Sequence, residues 1–252
     1  MKKVIFLIIS IIIIILLIIF LPQEKTKLQE KDYPIIENLD SSSDLVQGLY
    51  AQIQIFNEDI KTGQTYFGYL YHKDQLLNTE LDDQAVIAIG LNQSSDLKCN
   101  NECYITASLL DENISEVLGN VDYEHQSFSE RINGLNFNYE NDEYTGVFNN
   151  YDTNSFVKVY SNLIESKKTI EKDKTTIVIK ERVAYRLYNV MNETYEVYNG
   201  LVMIEPLIIC PYLDDECIED YINDHQDKFN IYEYQYILEN DNYIFKSIKK
   251  SN

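Results

Sequence analysis

Three histidines, His72, His125 and His225, carry the side chains of this 252-residue chain best suited to proton transfer near neutral pH. None lies in His-Glu-x-x-His or another metal-ligand spacing. His72 and His125 follow tyrosine-containing stretches, and His225 sits on an apolar helical stripe, so surface, boundary or core positions suit all three. A hydrolase would have to be assembled from dispersed residues, with His72 or His125 meeting acids in a cleft. No Gly-x-Ser-x-Gly elbow is present. Ser-x-x-Lys recurs at Ser95–Lys98, Ser155–Lys158 and Ser247–Lys250, in loop or strand contexts where it does not open a helix. Phosphate-cradling glycine motifs are missing. No catalytic residue, no cofactor-binding residue, no cofactor and no metal ligand is therefore assigned.

Four cysteines form two close pairs, Cys99 with Cys103 and Cys210 with Cys217. In an oxidising compartment the simplest pairing is local. A four-thiolate zinc site and unpaired thiols are the alternatives, although such zinc sites usually use C-x2-C knuckles. Two acidic clusters are candidates for calcium binding: Asp214 to Glu216 with Glu219 and Asp220, and Glu140 with Asp142 and Glu143. Neither has the alternating acidic loop pattern. A helix start explains the first and a solvated turn the second. Against an overall charge of −20, residues 156–188 hold eight cations and four acids. Lys158, Lys180, Arg182 and Arg186 mark a candidate anionic-ligand patch there, suited to an anionic envelope polymer, a lipid head group or another surface protein. The competing reading is a solvated strand face balanced by nearby acids. Sequons at Asn92, Asn113 and Asn192 matter only where exported proteins are glycosylated.

The elements that must position these residues begin with an apolar run, Val4 to Leu21, behind Met1-Lys2-Lys3. Eighteen residues make roughly 27 Å of helix, close to the hydrocarbon thickness of a bilayer. The run ends in Pro22 without a small-residue cleavage site, which favours an uncleaved signal anchor over residues 1–21. Lysines flank both ends, and the short leading tail favours an outward-facing body. Residues 22–43 are polar and aperiodic, and read as a tether. Residues 1–32 hold five lysines and three acids, a charge of +2, so the remaining 220 carry −22. That acidity speaks against nucleic acid as a partner. The abundance of Asn, Ile, Lys and Tyr fits AT-rich codons, and the 21 tyrosines are no sign of sugar binding by themselves.

Residues 44–252 read as one extracytoplasmic α+β domain, with a subdomain split near residue 122 as the alternative. Helical spacing runs from Leu45 to Ile60, from Asp82 to Asn92, and from Leu110 to Leu118 with Gly119 as its stop. A short extended piece covers 64–71. Period-two alternation marks Thr175–Tyr188, with Glu181 as the exception on its apolar face. Phe156–Ile164 is its expected partner, and Ile231–Leu238 with Tyr243–Ile248 a closing hairpin. Asp215 to Phe229 reads as the clearest helix. The expected fold class is α+β: an N-terminal transmembrane helix, then helices packed on one face of a mostly antiparallel sheet.

Leu49-Tyr50, the stretch Tyr66-Phe67-Gly68-Tyr69-Leu70-Tyr71, and Val117-Leu118-Gly119-Asn120-Val121-Asp122-Tyr123 resemble uncharacterised single-anchor surface proteins of low-GC Gram-positive bacteria. The resemblance covers about half of the body and implies location, not reaction or ligand. The functional expectation is a membrane-anchored extracytoplasmic domain with a binding or structural role, attached to the lipid bilayer through its N-terminal helix. An envelope hydrolase is the rival.

Overall fold

A computed structural model describes residues 33–53, 73–93, 98–99, 102–132, 135–148, 157–200 and 205–251. Residues 34–252 form one compact unit, and position 122 lies inside it. The element order is β1 (Ile35–Asn38), α1 (Asp44–Ile53), β2 (Gln75–Leu77), α2 (Asp83–Gln93), β3 (Lys98–Cys99), β4 (Glu102–Thr106), α3 (Ala107–Leu118) and β5 (Phe128–Ile132). There follow β6 (Leu135–Glu140), β7 (Glu143–Phe148), β8 (Val157–Glu171), β9 (Lys174–Asn189), β10 (Thr194–Tyr198), β11 (Ile208–Pro211), α4 (Asp215–Asp224), β12 (Asn230–Glu239) and β13 (Asn242–Ser251).

Two antiparallel sheets organise the body. The larger runs β1-β8-β9-β12-β13-β2, with β10 and β11 attached beside the second half of β9. The smaller runs β3-β4-β7-β6-β5. The long strand β9 forks: residues 176–183 pair with β12, and residues 185–189 pair with β10. Its burial changes at the fork. Ile177, Ile179, Glu181 and Val183 alternate with part-exposed neighbours, whereas residues 183–186 are all buried. Both faces are covered there. Tyr185 enters a large core with α1, α2 and α3, and Ala184 enters a second core with Val197, Cys210, Ile218, Ile222 and Phe229.

The expected fold class is therefore corrected. Strands dominate, in two sheets rather than one, and α4 packs on the face of β9 opposite to α1–α3. Among the described residues no helix is long and apolar enough to cross a membrane, and the anchor expected over residues 1–21 lies outside them. The tether over 22–43 is also too long at its far end, because Ile35–Asn38 pair with Lys167–Ile170 as an edge strand. The helix expected over 215–229 stops at Asp224. The His225 backbone N–H closes it on the Tyr221 carbonyl, and a separate turn spans Gln226–Lys228. The extended piece at 64–71 lies outside the described residues.

One glycine sets the helix packing. A Cβ on Gly90 would lie 2.4 Å from Ile114 Cγ1, so the close crossing of α2 and α3 needs glycine at that point.

Candidate functional site

The described residues contain a cleft of about 390 Å³ along α3 and the segment that follows it. Its chemistry starts with helical spacing. Asp111 and Ser115 are one turn apart on α3 and both line the cleft. Thr106 caps the start of the helix by accepting from the Leu109 N–H, and Gly119, at φ 72°, ends it. The left-handed glycine turns the chain so that Asn120, Asp122, Tyr123 and His125 wrap the same cleft. The Lys246 ammonium lies close by, 3.7 Å from where a Gly119 Cβ would stand, and pairs with Glu239 at 2.8 Å.

Four side chains hold His125. Its Nδ1 lies 2.9 Å from the Tyr144 hydroxyl and its Nε2 lies 3.2 Å from Asp111 Oδ1. Tyr144 also accepts the Gln126 backbone N–H. The consistent assignment is a hydroxyl donating to Nδ1 and an Nε2–H donating to the carboxylate. Tyr139 stacks on the imidazole at 5.1 Å, and Tyr123 meets it edge-on at 5.2 Å. Tyr123 donates its hydroxyl to the same Asp111 oxygen. Burial, followed by the Asp111 hydrogen bond, pushes the Tyr123 phenol well above its ordinary range. Burial does the same to Tyr144. Both phenols therefore keep their protons near neutral pH and serve as donors, not as bases. Tyr139 is raised by its hydrogen bond to Asp142.

The other histidines differ. His225 stacks on Tyr221 at 4.1 Å and its Nδ1 lies 3.0 Å from the Tyr221 carbonyl, a helix-end role. His72 lies outside the described residues, as do Ser95 and Ser155. Ser247 is buried in β13, so its Ser-x-x-Lys spacing opens no helix.

Cys210 and Cys217 form a disulfide that ties β11 to the first turn of α4. Cys103 is disulfide-bonded as well, and the β3–β4 register sets Cys99 opposite it. Asp214 caps α4 by accepting the Cys217 N–H. Glu140 and Glu143 flank a tight β6–β7 turn, in which Asn141 and Asp142 adopt φ of 53° and 61°. Among the described residues no three His, Cys, Asp or Glu side chains gather as a metal site.

The four patch residues occupy β8 and β9, with Lys158 opposite Arg186 in the register. Two of them, Lys180 and Arg186, meet acids. Lys180 lies 2.9 Å from Glu165 and 3.5 Å from Glu233. Arg186 binds Asp215 and covers the Tyr195 ring at 4.2 Å. Buried Arg182 Nε has no hydrogen-bond partner. Of the cations in residues 156–188, Lys168, Lys180 and Arg186 meet carboxylates from other segments, Glu37, Glu233 and Asp215, while Lys167 and Lys180 share Glu165 within the segment.

A second polar centre is internal. Glu181 is fully buried, and its two carboxylate oxygens accept the hydroxyls of Tyr50 and Tyr234. Burial, then the nearby Glu181 charge, raises Tyr234 well above its ordinary value. Glu181 was visible in the sequence as a break in alternation. Asp111, Tyr139 and Tyr144 carried no such signal, because their meeting depends on how α3 lies against the β6–β7 hairpin. Comparison with protein families, curated proteins and solved structures finds no match to this chain.

Proposed function

We propose that this chain is a membrane-held extracytoplasmic domain with a binding role, and that the cleft along α3 is its ligand site. The observation that supports binding over catalysis is the state of His125: both ring nitrogens already have partners, while the cleft beside the ring stays open. A general base needs a nitrogen within reach of a substrate proton. The rival hydrolase reading gains from the same cleft, which joins His125 to Asp111 and Asp122. It requires Asp111 or Tyr144 to release the ring, and Tyr139, stacked on the imidazole, opposes that movement.

The location reading draws on the apolar segment 4–21 and on the disulfide bonding of Cys103, Cys210 and Cys217. Disulfides persist in exported proteins and are rare in the cytosol. The test is labelling of intact cells with a membrane-impermeant maleimide. Cys103 and Cys210 are fully buried, so the part-exposed Cys217 is the reporter. Labelling after an impermeant reductant, and not before it, is expected. Labelling that needs lysis but no reductant would refute the outward placement.

A further inference from the structure

We infer that the cleft along α3 takes a small organic cation bearing an aliphatic amine, a ligand class that rests on the binding reading above. Three features of the cleft carry this. First, its volume of about 390 Å³ lies in the range of small-molecule sites. Second, the acids of its lining are met by no lysine or arginine in that lining. Those acids are Asp111 and Asp122, the neighbouring Lys246 is already paired with Glu239, and the body outside residues 1–32 carries −22. A field of that sign focused in a concave site concentrates cations and excludes anions. Third, the anionic and aromatic parts are held in place before any ligand arrives. Asp111 Oδ1 accepts from both Tyr123 and His125, which fixes the carboxylate without neutralising it by a lysine or arginine. The Tyr123 ring stands in the same wall, and an aromatic face adds attraction for an ammonium group. Ser115 and Asn120 supply acceptors for the remaining ammonium hydrogens. A preorganised carboxylate loses little freedom on binding.

The experiment is isothermal titration of the full chain in detergent micelles with putrescine and with spermidine, at about 0.15 M salt to screen diffuse attraction. The expected result is saturable one-site binding. Asp111→Asn and Asp122→Asn should each weaken it at least tenfold, while Asp220→Asn on the exposed side of α4 leaves it unchanged. Asp122→Asn guards against misfolding, since Asp111 also holds Tyr123 and His125; circular dichroism checks each variant. Equal weakening by Asp220→Asn would overturn the site, because the amine would then be reading the acidic body as a whole. Absence of amine binding would overturn the ligand class. Saturable binding of a neutral saccharide such as N-acetylglucosamine in that case, lost on Asp122→Asn, would leave the binding reading standing with a different ligand. Failure of both probes would count against the binding reading too, whereas the maleimide labelling judges location independently.

Discussion

Glu181 shows how one residue can be legible as an anomaly and opaque as to purpose. Alternation along β9 put it on the apolar face, where a carboxylate is costly unless hydrogen-bonded. The sequence could not show that Tyr50, 131 positions away, would supply one hydroxyl and Tyr234 the other. A related link runs in parallel, as Tyr236 donates to the Leu49 carbonyl at 2.8 Å. Together they fasten the short helix α1 to β12 through polar contacts inside an otherwise apolar core. Glu181→Gln keeps the shape but offers one acceptor where two donors wait. It should cost about 1–3 kcal/mol, the usual penalty for an orphaned buried hydrogen-bonding group. Tyr50→Phe added to that variant should cost less than Tyr50→Phe alone, because the donor it removes has already lost its acceptor. Urea midpoints of the four proteins measure this, and additive losses would show that the two groups do not interact. His125 was flagged among the candidates in the same way, yet its partners Asp111, Tyr139 and Tyr144 were invisible, since nothing local in the chain draws them together.

At the scale of elements, period-two alternation and cap residues placed β9, the closing hairpin and the starts of α2 and α4, because those signals are local. Strand neighbours were less accessible, and they decide what the basic strand does. The register sets Glu165 opposite Lys180, Lys180 opposite Glu233, and Glu233 opposite Lys249. Across β8, β9, β12 and β13 the charges alternate in one row, with Lys167 flanking Glu165. Opposite charges across strands attract, and this row accounts for a cationic strand in an acidic protein. A bulge between Leu163 and Glu165 brings Glu165 into the row. Hydrogen bonds from Lys167 and Lys180 hold the Glu165 carboxyl below its ordinary value of 4.5. Burial pushes Glu233 up, but Lys249, Ser251 and Lys180 more than reverse it, and it too ends lower. Both groups are easier to ionise folded than unfolded. Their stabilisation is present above the unfolded carboxylate value and is lost as pH falls through the lowered folded values. The urea midpoint should therefore fall as pH drops below about 4.5, and the fall should be shallower in Glu165→Gln/Glu233→Gln. An unchanged slope in that double variant would mean that the row contributes nothing to acid sensitivity.

For the molecule as a whole, the decisive feature is that both sheets feed one core. Ile105, Phe137 and Tyr144 of the smaller sheet share a buried cluster with Ile177, Ile179, Tyr234 and Phe245 of the larger, and α2 and α3 contribute to the same cluster. A division near residue 122 was an open alternative in the sequence, where helical patterns give way to strands. That change of pattern records the order of elements along the chain, and says nothing about which of them pack together. The segment after α3 instead wraps back along the helix to form the cleft wall. Shared burial predicts cooperative unfolding. Phe137 is the test position: it is buried, lies opposite Gly146 in the β6–β7 register, and fills the space a Cβ there would take. Phe137→Ala removes a large core side chain at a cost of about 3–5 kcal/mol. For a body of this size that should lower the melting temperature by roughly 10 °C. If the sheets unfold together, amide exchange measured by mass spectrometry should quicken in β9 and β12 as well as in β6 and β7. Faster exchange confined to the smaller sheet would make it a separately melting unit, and the cleft between α3 and its following segment would then be bordered by two bodies of independent stability.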